Sequence, residues 1–162
     1  MNRAHRLAVS PMLAVILALA VLSALPAASQ AAESSTGQTV YVPCYSHIYH
    51  GIKTRGIDLT ITLSVRNTDP KRAVTVSSVD YYDTAGALVK RHLEKPLRLE
   101  PLMTAEYIVA QTDVSGGSGA NFLVRWTSEA PASPLLVEAV MIGTSAQQGI
   151  SFTSRGVAVQ GE

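Results

Sequence analysis

Residues 57–67 decide the fold, and they read Ile-Asp-Leu-Thr-Ile-Thr-Leu-Ser-Val-Arg-Asn. Odd positions from 57 to 65 carry aliphatic side chains, and even positions from 58 to 66 carry polar ones. Because successive side chains of a β-strand point to opposite faces, this alternation predicts a strand with one buried and one solvated face. A helix would spread the same aliphatic residues around its whole circumference. We therefore predict the central strand of an antiparallel sheet.

The chain after residue 38 repeats this pattern in short runs, separated by turn signals such as Asn67-Thr-Asp-Pro70. Residues 135–142 are apolar on both faces except at Glu138, so we place this strand centrally. Pro43 cannot donate a ladder hydrogen bond, so we place the strand at 39–49 at a sheet edge. Short strands with regular turn signals predict an all-β fold, an antiparallel β-sandwich that is immunoglobulin-like in general form and has about seven to nine strands.

One strand changes the phase of its alternation. Val74 and Val76 occupy even positions, whereas Val79 and Tyr81 occupy odd ones. One extra residue at Ser77–Ser78, a β-bulge, would restore a single inward face. Passage of the strand from one sheet to the other is the alternative.

The N-terminus has the composition of a secretory signal peptide. A basic segment, Met1–Arg6, precedes an apolar run from Met12 to Leu22 and then small residues up to Ala31. This order predicts a signal-peptide helix with cleavage after Ala31. An uncleaved membrane anchor over residues 7–25 is the alternative.

Removal of residues 1–31 leaves 131 of the 162 residues, the size of one domain. We expect a flexible leader at 32–38 and a single β-sandwich domain at 39–160. The signal carries two of the 13 basic residues, Arg3 and Arg6, and none of the 12 acidic ones. The remaining 11 basic and 12 acidic residues give a net charge of −1. A nearly neutral chain argues against a nucleic-acid partner and against electrostatic binding to a membrane surface.

Cys44 is the only cysteine, so an exported form of this chain has no internal disulfide and depends on its core. We predict that Cys44 is a buried packing residue; an intermolecular bridge is the alternative. We expect no cofactor, and no stable membrane insertion once the signal has been removed.

Aromatic and imidazole side chains are concentrated at His47, Tyr49 and His50. The two imidazoles could bind a transition metal, but a site needs three or four ligands. His92 is the remaining histidine after the signal, and it lies in a charged run that is typical of an edge strand. An aromatic edge strand that covers the core is the competing interpretation.

Two further segments could bind a ligand. Asp80 and Asp83 could hold calcium with other carboxylates, although no calcium-loop spacing is present and Asp83 suits a turn. The loop Ser115-Gly-Gly-Ser-Gly119 exposes backbone N–H groups that could bind an anion, but it lacks the lysine and the following helix of a phosphate-binding loop. Ser145 lacks the second glycine of a nucleophile elbow. Arg125 and Glu138 would form a cross-strand ion pair if their strands were neighbours.

Several segments are similar in sequence to one protein family. They are Val-Tyr-Val-Pro-x-Tyr-Ser-His-Ile-Tyr-His (40–50), Leu-Ser-Val-Arg-Asn-Thr-Asp (63–69), Val-Asp-Tyr-Tyr-Asp (79–83), Ser-Gly-Gly-Ser-Gly-Ala-Asn-Phe (115–122) and Gly-Ile-Ser-Phe-Thr-Ser-Arg-Gly (149–156). Together they resemble the bacterial exported family known as domain of unknown function 3124, over nearly all of the chain that follows the signal. The resemblance implies a bacterial, exported, single-domain protein, and it brings no activity or ligand.

The sequence therefore predicts a periplasmic or secreted binding or accessory module of the cell envelope. Its partner would be an envelope protein or a small ligand. The binding residues that we expect are His47, Tyr49, His50, Asp80, Asp83, Ser118 and Asn121. The alternatives are a metal-binding protein that uses His47 and His50, and an envelope assembly chaperone that works by strand addition. We find no catalytic constellation in the sequence and do not expect an enzyme.

Overall fold

The structure is a computed structural model that describes residues 33–51, 54–145 and 147–159. The predicted signal peptide and its helix lie outside these residues. The described part of the chain forms strands and loops, and it contains no helix long and apolar enough to cross a membrane. Its strands are β1 Ser35–Pro43, β2 His47–His50, β3 Arg55–Asp58, β4 Thr60–Arg66, β5 Val74–Tyr82, β6 Leu88–Arg91, β7 Leu97–Leu99, β8 Thr104–Val109, β9 Asn121–Ala132, β10 Leu136–Ser145, β11 Gln148–Arg155 and β12 Val157–Val159.

The strands build two large sheets and a hairpin. The six-stranded sheet has the order β12-β1-β9-β5-β6, with β7 also paired to β5. The four-stranded sheet has the order β11-β10-β4-β8, and β2 pairs with β3. Every pairing is antiparallel, as predicted. Twelve described strands replace the predicted seven to nine because the runs at 39–49, 57–67 and 150–159 each divide into two.

The stretch that decides the fold behaves as its alternation predicts. The five aliphatic side chains from Ile57 to Val65 are all 4% exposed or less. β4 lies inside the four-stranded sheet, between β10 and β8, which confirms the predicted central strand. These side chains belong to one apolar cluster with residues of the six-stranded sheet, among them Phe122 and Trp126. The two sheets therefore pack face to face as a sandwich.

The phase change in β5 is a β-bulge. Val76 lies opposite Trp126 and Ser78 lies opposite Arg125, so Ser77 is the extra residue. The bulge turns Val79 inward, in the same direction as Val76, and both are fully buried. The interpretation as a bulge is confirmed.

The strand that contains Pro43 is not an edge strand, because β1 lies between β12 and β9. β12 pairs only with Thr39–Tyr41. The residue after Pro43 is Cys44, and its backbone N–H donates to Ala120 O at 2.9 Å on the β9 side. Backbone N–H groups of successive strand residues point to opposite neighbouring strands, so the nitrogen of Pro43 points away from β9. β12 does not extend to Pro43 on that side, so the missing N–H costs no ladder bond.

Two other expectations about this segment have different outcomes. The flexible leader predicted at 32–38 is wrong from Ser35 onward, since β1 begins there and pairs with β9 through Gly37 and Gln38. The predicted burial of Cys44 is confirmed at 1% exposed, and burial raises the pKa of its thiol to about 12.

At one end of the sandwich, where β4 and β9 end, a buried asparagine binds its own loop to the connection between β7 and β8. Asn67 is 2% exposed, and its amide donates to the carbonyls of Arg72, Leu99 and Glu100 at 2.8, 3.2 and 3.0 Å. Its side-chain oxygen accepts from Asp69 N at 3.0 Å. We call this the asparagine end.

Asp69 completes the asparagine end. Its carboxylate accepts the backbone N–H groups of Lys71, Arg72 and Ser133 at 2.8, 2.9 and 3.0 Å. The bonds from Ser133 and Lys71 hold the pKa of the Asp69 carboxyl below its usual range. The sequence predicts only a turn here; the structure shows a buried, hydrogen-bonded junction.

Candidate functional site

At the opposite end, three segments that the sequence singled out meet. They are the glycine-rich loop 113–120, the turn 83–87 and the segment 44–50, which together we call the glycine-loop end. Thr84 joins the first two: its N–H donates to Gly116 O at 2.9 Å, and its hydroxyl accepts from Gly119 N at 2.9 Å.

Ser46 joins the same loop to the third segment. Its N–H donates to Gly117 O at 3.0 Å, and its hydroxyl lies 3.1 Å from that carbonyl oxygen and 3.3 Å from Val114 O. Ser46 is fully buried, and its own carbonyl accepts from Leu59 N at 2.8 Å at the start of the central strand. The buried hydroxyl therefore bonds to the backbone of the glycine-rich loop, although Nδ1 of His47 also lies 3.4 Å away.

The glycines allow this close packing. A Cβ at Gly116 would overlap the hydroxyl of Tyr81, which leaves no room for a side chain. Gly117 has a φ of +79°, a conformation that other residues rarely adopt. The glycine-rich loop predicted around Ser115–Gly119 is thus present, and it is held by hydrogen bonds on two sides.

His47 and Tyr49 form a pair on the hairpin of β2 and β3. Nε2 of His47 lies 2.9 Å from the hydroxyl of Tyr49, and the two rings are edge-to-face with centroids 5.1 Å apart. Tyr49 is 56% exposed. The pair is a partly exposed aromatic surface with hydrogen-bonding capacity.

His50 does not join His47. The two residues stand at odd and even positions of β2, so their side chains leave opposite faces. His47 lies opposite Asp58, whereas His50 lies opposite Arg55. The described residues contain no group of three histidine, cysteine, aspartate or glutamate side chains that could hold a metal ion, so the metal alternative gains no third ligand among them.

Asp83, Ser118 and Asn121 also lie at the glycine-loop end. Asp83 holds its turn, because its carboxylate accepts from Ala85 N at 2.9 Å and from Ala87 N at 2.8 Å. Ser118 is half-buried in the loop, and Asn121 is the half-buried first residue of β9. Asp83 is therefore partly occupied by a structural role.

Asp80 lies apart from the others, on the outer face of the six-stranded sheet. It is 7% exposed, and its carboxylate accepts from Nη1 of Arg125 at 2.8 Å. Arg125 also donates to the Ser78 hydroxyl at 3.0 Å. The condition for a pair of Arg125 with Glu138, neighbouring strands, is not met because the two residues belong to different sheets; Glu138 lies opposite Arg155.

An aromatic cluster that sequence reasoning missed lies beneath the glycine-rich loop. Tyr81, His92, Tyr107 and Phe122 have neighbouring ring centroids 4.8 to 6.3 Å apart. Among the described residues, Nε2 of His92 and both tyrosine hydroxyls are buried without a hydrogen-bond partner. The charged run around His92 contains no alternation that would place it inside.

Burial changes the acidity of this cluster. Desolvation lowers the pKa of His92, and the charge of Lys90 adds to the effect. Desolvation also raises the pKa of Tyr81 and of Tyr107. At the entry of the loop, the hydroxyl and N–H of Ser115 bind the Asp113 carboxylate and lower its pKa. The glycine-loop end therefore combines an ionised carboxylate at its surface with neutral aromatic groups beneath it.

The chain belongs to the family described as "Protein of unknown function (DUF3124)", whose model matches residues 37–159. This confirms the resemblance drawn from the sequence. No curated protein matches the chain. A solved structure, "Crystal Structure of Thermotoga maritima 1070", is 10% identical in sequence and has a TM-score of 0.46 over 77% of this chain and 97% of that one. A likeness at this score supports no statement about fold or function.

Proposed function

We propose that the mature chain is an exported binding module of the bacterial cell envelope, and that it recognises an envelope protein or small ligand with its glycine-loop end. The observation that carries this proposal is the convergence of three separate segments through Ser46 and Thr84. Loops at one end of a sandwich commonly carry recognition while the sheets carry stability.

The end offers two kinds of contact. The exposed ring of Tyr49, with His47 bonded to its hydroxyl, can stack on a ring or pack on an apolar group and still accept or donate a hydrogen bond. Ser118 and Asn121 add polar groups from the loop and from the start of β9.

The hydrogen bonds within the glycine-loop end should increase its affinity for a ligand. Binding costs less when the contacting loops are already ordered, because less conformational freedom is lost. Thr84 and Ser46 order the glycine-rich loop through bonds to its backbone at 2.9 to 3.1 Å. The loop can therefore present Ser118 without a large ordering cost.

Export is tested by expressing the full sequence in a bacterium and fractionating the cells. We expect a periplasmic or secreted product whose first residue is Ala32, as the signal-peptide pattern predicts. Full-length protein in the cytoplasm, or an uncut form in the membrane, would overturn the export half of the proposal.

Binding is tested with the exported chain and isolated envelope fractions in a sedimentation assay. Tyr49→Ala and Asn121→Ala should each weaken co-sedimentation, and Leu102→Ala should not, since Leu102 is 68% exposed at the far end of the molecule. Equal loss in all three variants, or no loss in any, would exclude the glycine-loop end as the recognition surface.

Strand addition is a second candidate, and one observation favours it. β8 is an edge of the four-stranded sheet, where it pairs only with β4 in the described part of the chain. Leu102, Met103 and Ile108 in and before β8 are 68, 42 and 60% exposed. An edge of this kind can accept a partner's strand. Under this candidate Ile108→Lys, rather than Tyr49→Ala, would abolish binding to envelope fractions.

A further inference from the structure

The outer face of the six-stranded sheet carries a groove that is separate from the glycine-loop end. One row of residues crosses the sheet: Arg98 lies opposite Thr75, Thr75 opposite Thr127, and Thr127 opposite Gly37. Residues directly opposite each other in antiparallel strands share a face. The row thus places a guanidinium, two hydroxyls and a glycine side by side.

Two hollows lie on this face of the sheet, and because Thr127 belongs to the lining of both, we treat them as one groove. The first encloses about 320 Å³ and is lined by Arg72, Thr75, Arg98, Thr127, Ser128 and Glu129, among others. The second encloses about 300 Å³ and includes Thr39, Ser77 and Arg125 in its lining. From β7 to β1 the groove crosses three strand spacings of about 4.8 Å, roughly 14 Å in all. This length exceeds a single phosphate or carboxylate and suits a chain.

The arginines at one rim are only loosely held by the protein. Arg98 engages Glu100 through Nε at 2.9 Å, but both side chains are exposed, 61% and 60%. Exposed pairs of this kind contribute little, so an incoming anion can compete with Glu100. Arg72 is 53% exposed and lies 3.7 Å from Asp69, whose oxygens already accept three backbone N–H groups.

We propose that this groove binds a segment of an anionic polymer through its carboxylate or phosphate groups. Arg72 and Arg98 would each bind one acidic group, for which the planar guanidinium is well suited. The hydroxyls of Thr75, Thr127 and Ser128 would bond to the uncharged oxygens between acidic groups. Trp126 is the aromatic residue among the described residues of the lining and is 1% exposed, so these residues offer no ring on which a neutral sugar could stack.

Titration calorimetry of the exported chain with three probes tests this proposal. Polygalacturonate supplies carboxylates, polyphosphate supplies phosphates, and dextran is neutral. We expect binding to at least one of the two anionic polymers that weakens with added salt, and none to dextran. A preference between the two anions identifies the acidic group. Binding to dextran alone, or to none of the three, would overturn the proposal.

Substitutions locate the site. Arg72→Gln and Arg98→Gln should each lower the affinity for the anionic polymer by about tenfold or more, since each removes charge-assisted bonds. Arg66→Gln is the matched control, an exposed arginine at the end of β4 in the other sheet. Equal weakening in the control would show nonspecific attraction and overturn the assignment. Unchanged thermal melting of the variants will show that they fold.

This inference stands apart from the proposed function. Tyr49→Ala should leave polymer binding unchanged, and Arg98→Gln should leave recognition at the glycine-loop end unchanged. Failure of one set of variants therefore does not count against the other surface.

Discussion

The two ends of the sandwich satisfy their polar groups in different ways. At the asparagine end, Asn67 and Asp69 are 2% and 3% exposed, and their side chains bond to seven backbone groups. At the glycine-loop end, the loop is held by Thr84 and Ser46, while three polar atoms of the aromatic cluster beneath it have no partner among the described residues.

This difference separates stability from adaptability. A buried polar group with all its bonds made is expensive to disturb, because removal of one partner leaves others unsatisfied. Buried polar atoms without partners reduce local stability, and regions of low local stability are the ones that adjust to ligands. The comparison therefore favours the asparagine end as the structural anchor. At the glycine-loop end the loop itself is ordered by Thr84 and Ser46, and the capacity to adjust lies in the aromatic cluster beneath it.

The largest effect should come from Asn67→Ala. The substitution removes three donated bonds and one accepted bond in a buried site, so we expect a loss of about 3 kcal/mol in the free energy of unfolding. Urea denaturation measures it. Asp83→Ala is the counterpart at the other end: its two bonds are near the surface, and we expect about 1 kcal/mol. If Asp83→Ala were the more damaging change, the assignment of the two ends would be reversed.

A smaller effect is expected from Gly116→Ala. The new methyl group would overlap the Tyr81 hydroxyl and displace the loop, at a cost of about 2 kcal/mol. Gly149→Ala is the matched control, because nothing lies within 4 Å of a Cβ at that position and it requires no positive φ. Thermal melting of both variants measures the difference. Equal stabilities would show that the loop has room to move away from Tyr81.

The smallest effect is a pH dependence that passes through His92. Its folded-state pKa is lowered by burial, so below the unfolded-state value of about 6.5 the unfolded chain binds more protons than the folded one. Stability should therefore fall as the pH drops from about 7 to about 5. His92→Phe keeps a ring in the cluster and removes the titration.

Urea denaturation over that pH range compares His92→Phe with the parent protein. The variant should lose less stability on acidification. The carboxyl groups of Asp69 and Asp113, whose pKa values are lowered, act at more acidic pH and are present in both proteins. An identical pH dependence in the two proteins would show that the pKa of His92 is the same in the folded and the unfolded chain, which would contradict its desolvation in the cluster.

Local pattern accounts for much of the fold. The alternation from Ile57 to Val65 predicts five core residues, and the phase change at Ser77–Ser78 predicts the bulge. It does not predict where a strand changes sheets. Residues 150–159 look like one strand, but at Gly156 the chain passes to the other sheet, where a Cβ would lie 2.6 Å from Cγ1 of Val40.

The sites depend less on local pattern. His47, Asp83 and Ser118 were singled out separately by residue type, but Ser46 and Thr84, which join their segments, were not among the predicted site residues. The groove on the six-stranded sheet has no sequence signal, because the threonines and arginines that line it come from strands far apart in the chain.

By itself the sequence determined which residues form strands and which side chains turn inward, because both follow from alternation over a few positions. Only the tertiary structure decided which strands are neighbours. Arg125 therefore pairs with Asp80 rather than with Glu138, His92 lies under the glycine-rich loop, and Arg98 lies in one row with Thr127. The physical reason is that pairing between distant strands depends on how the two complete sheets fill one core, which no short segment encodes.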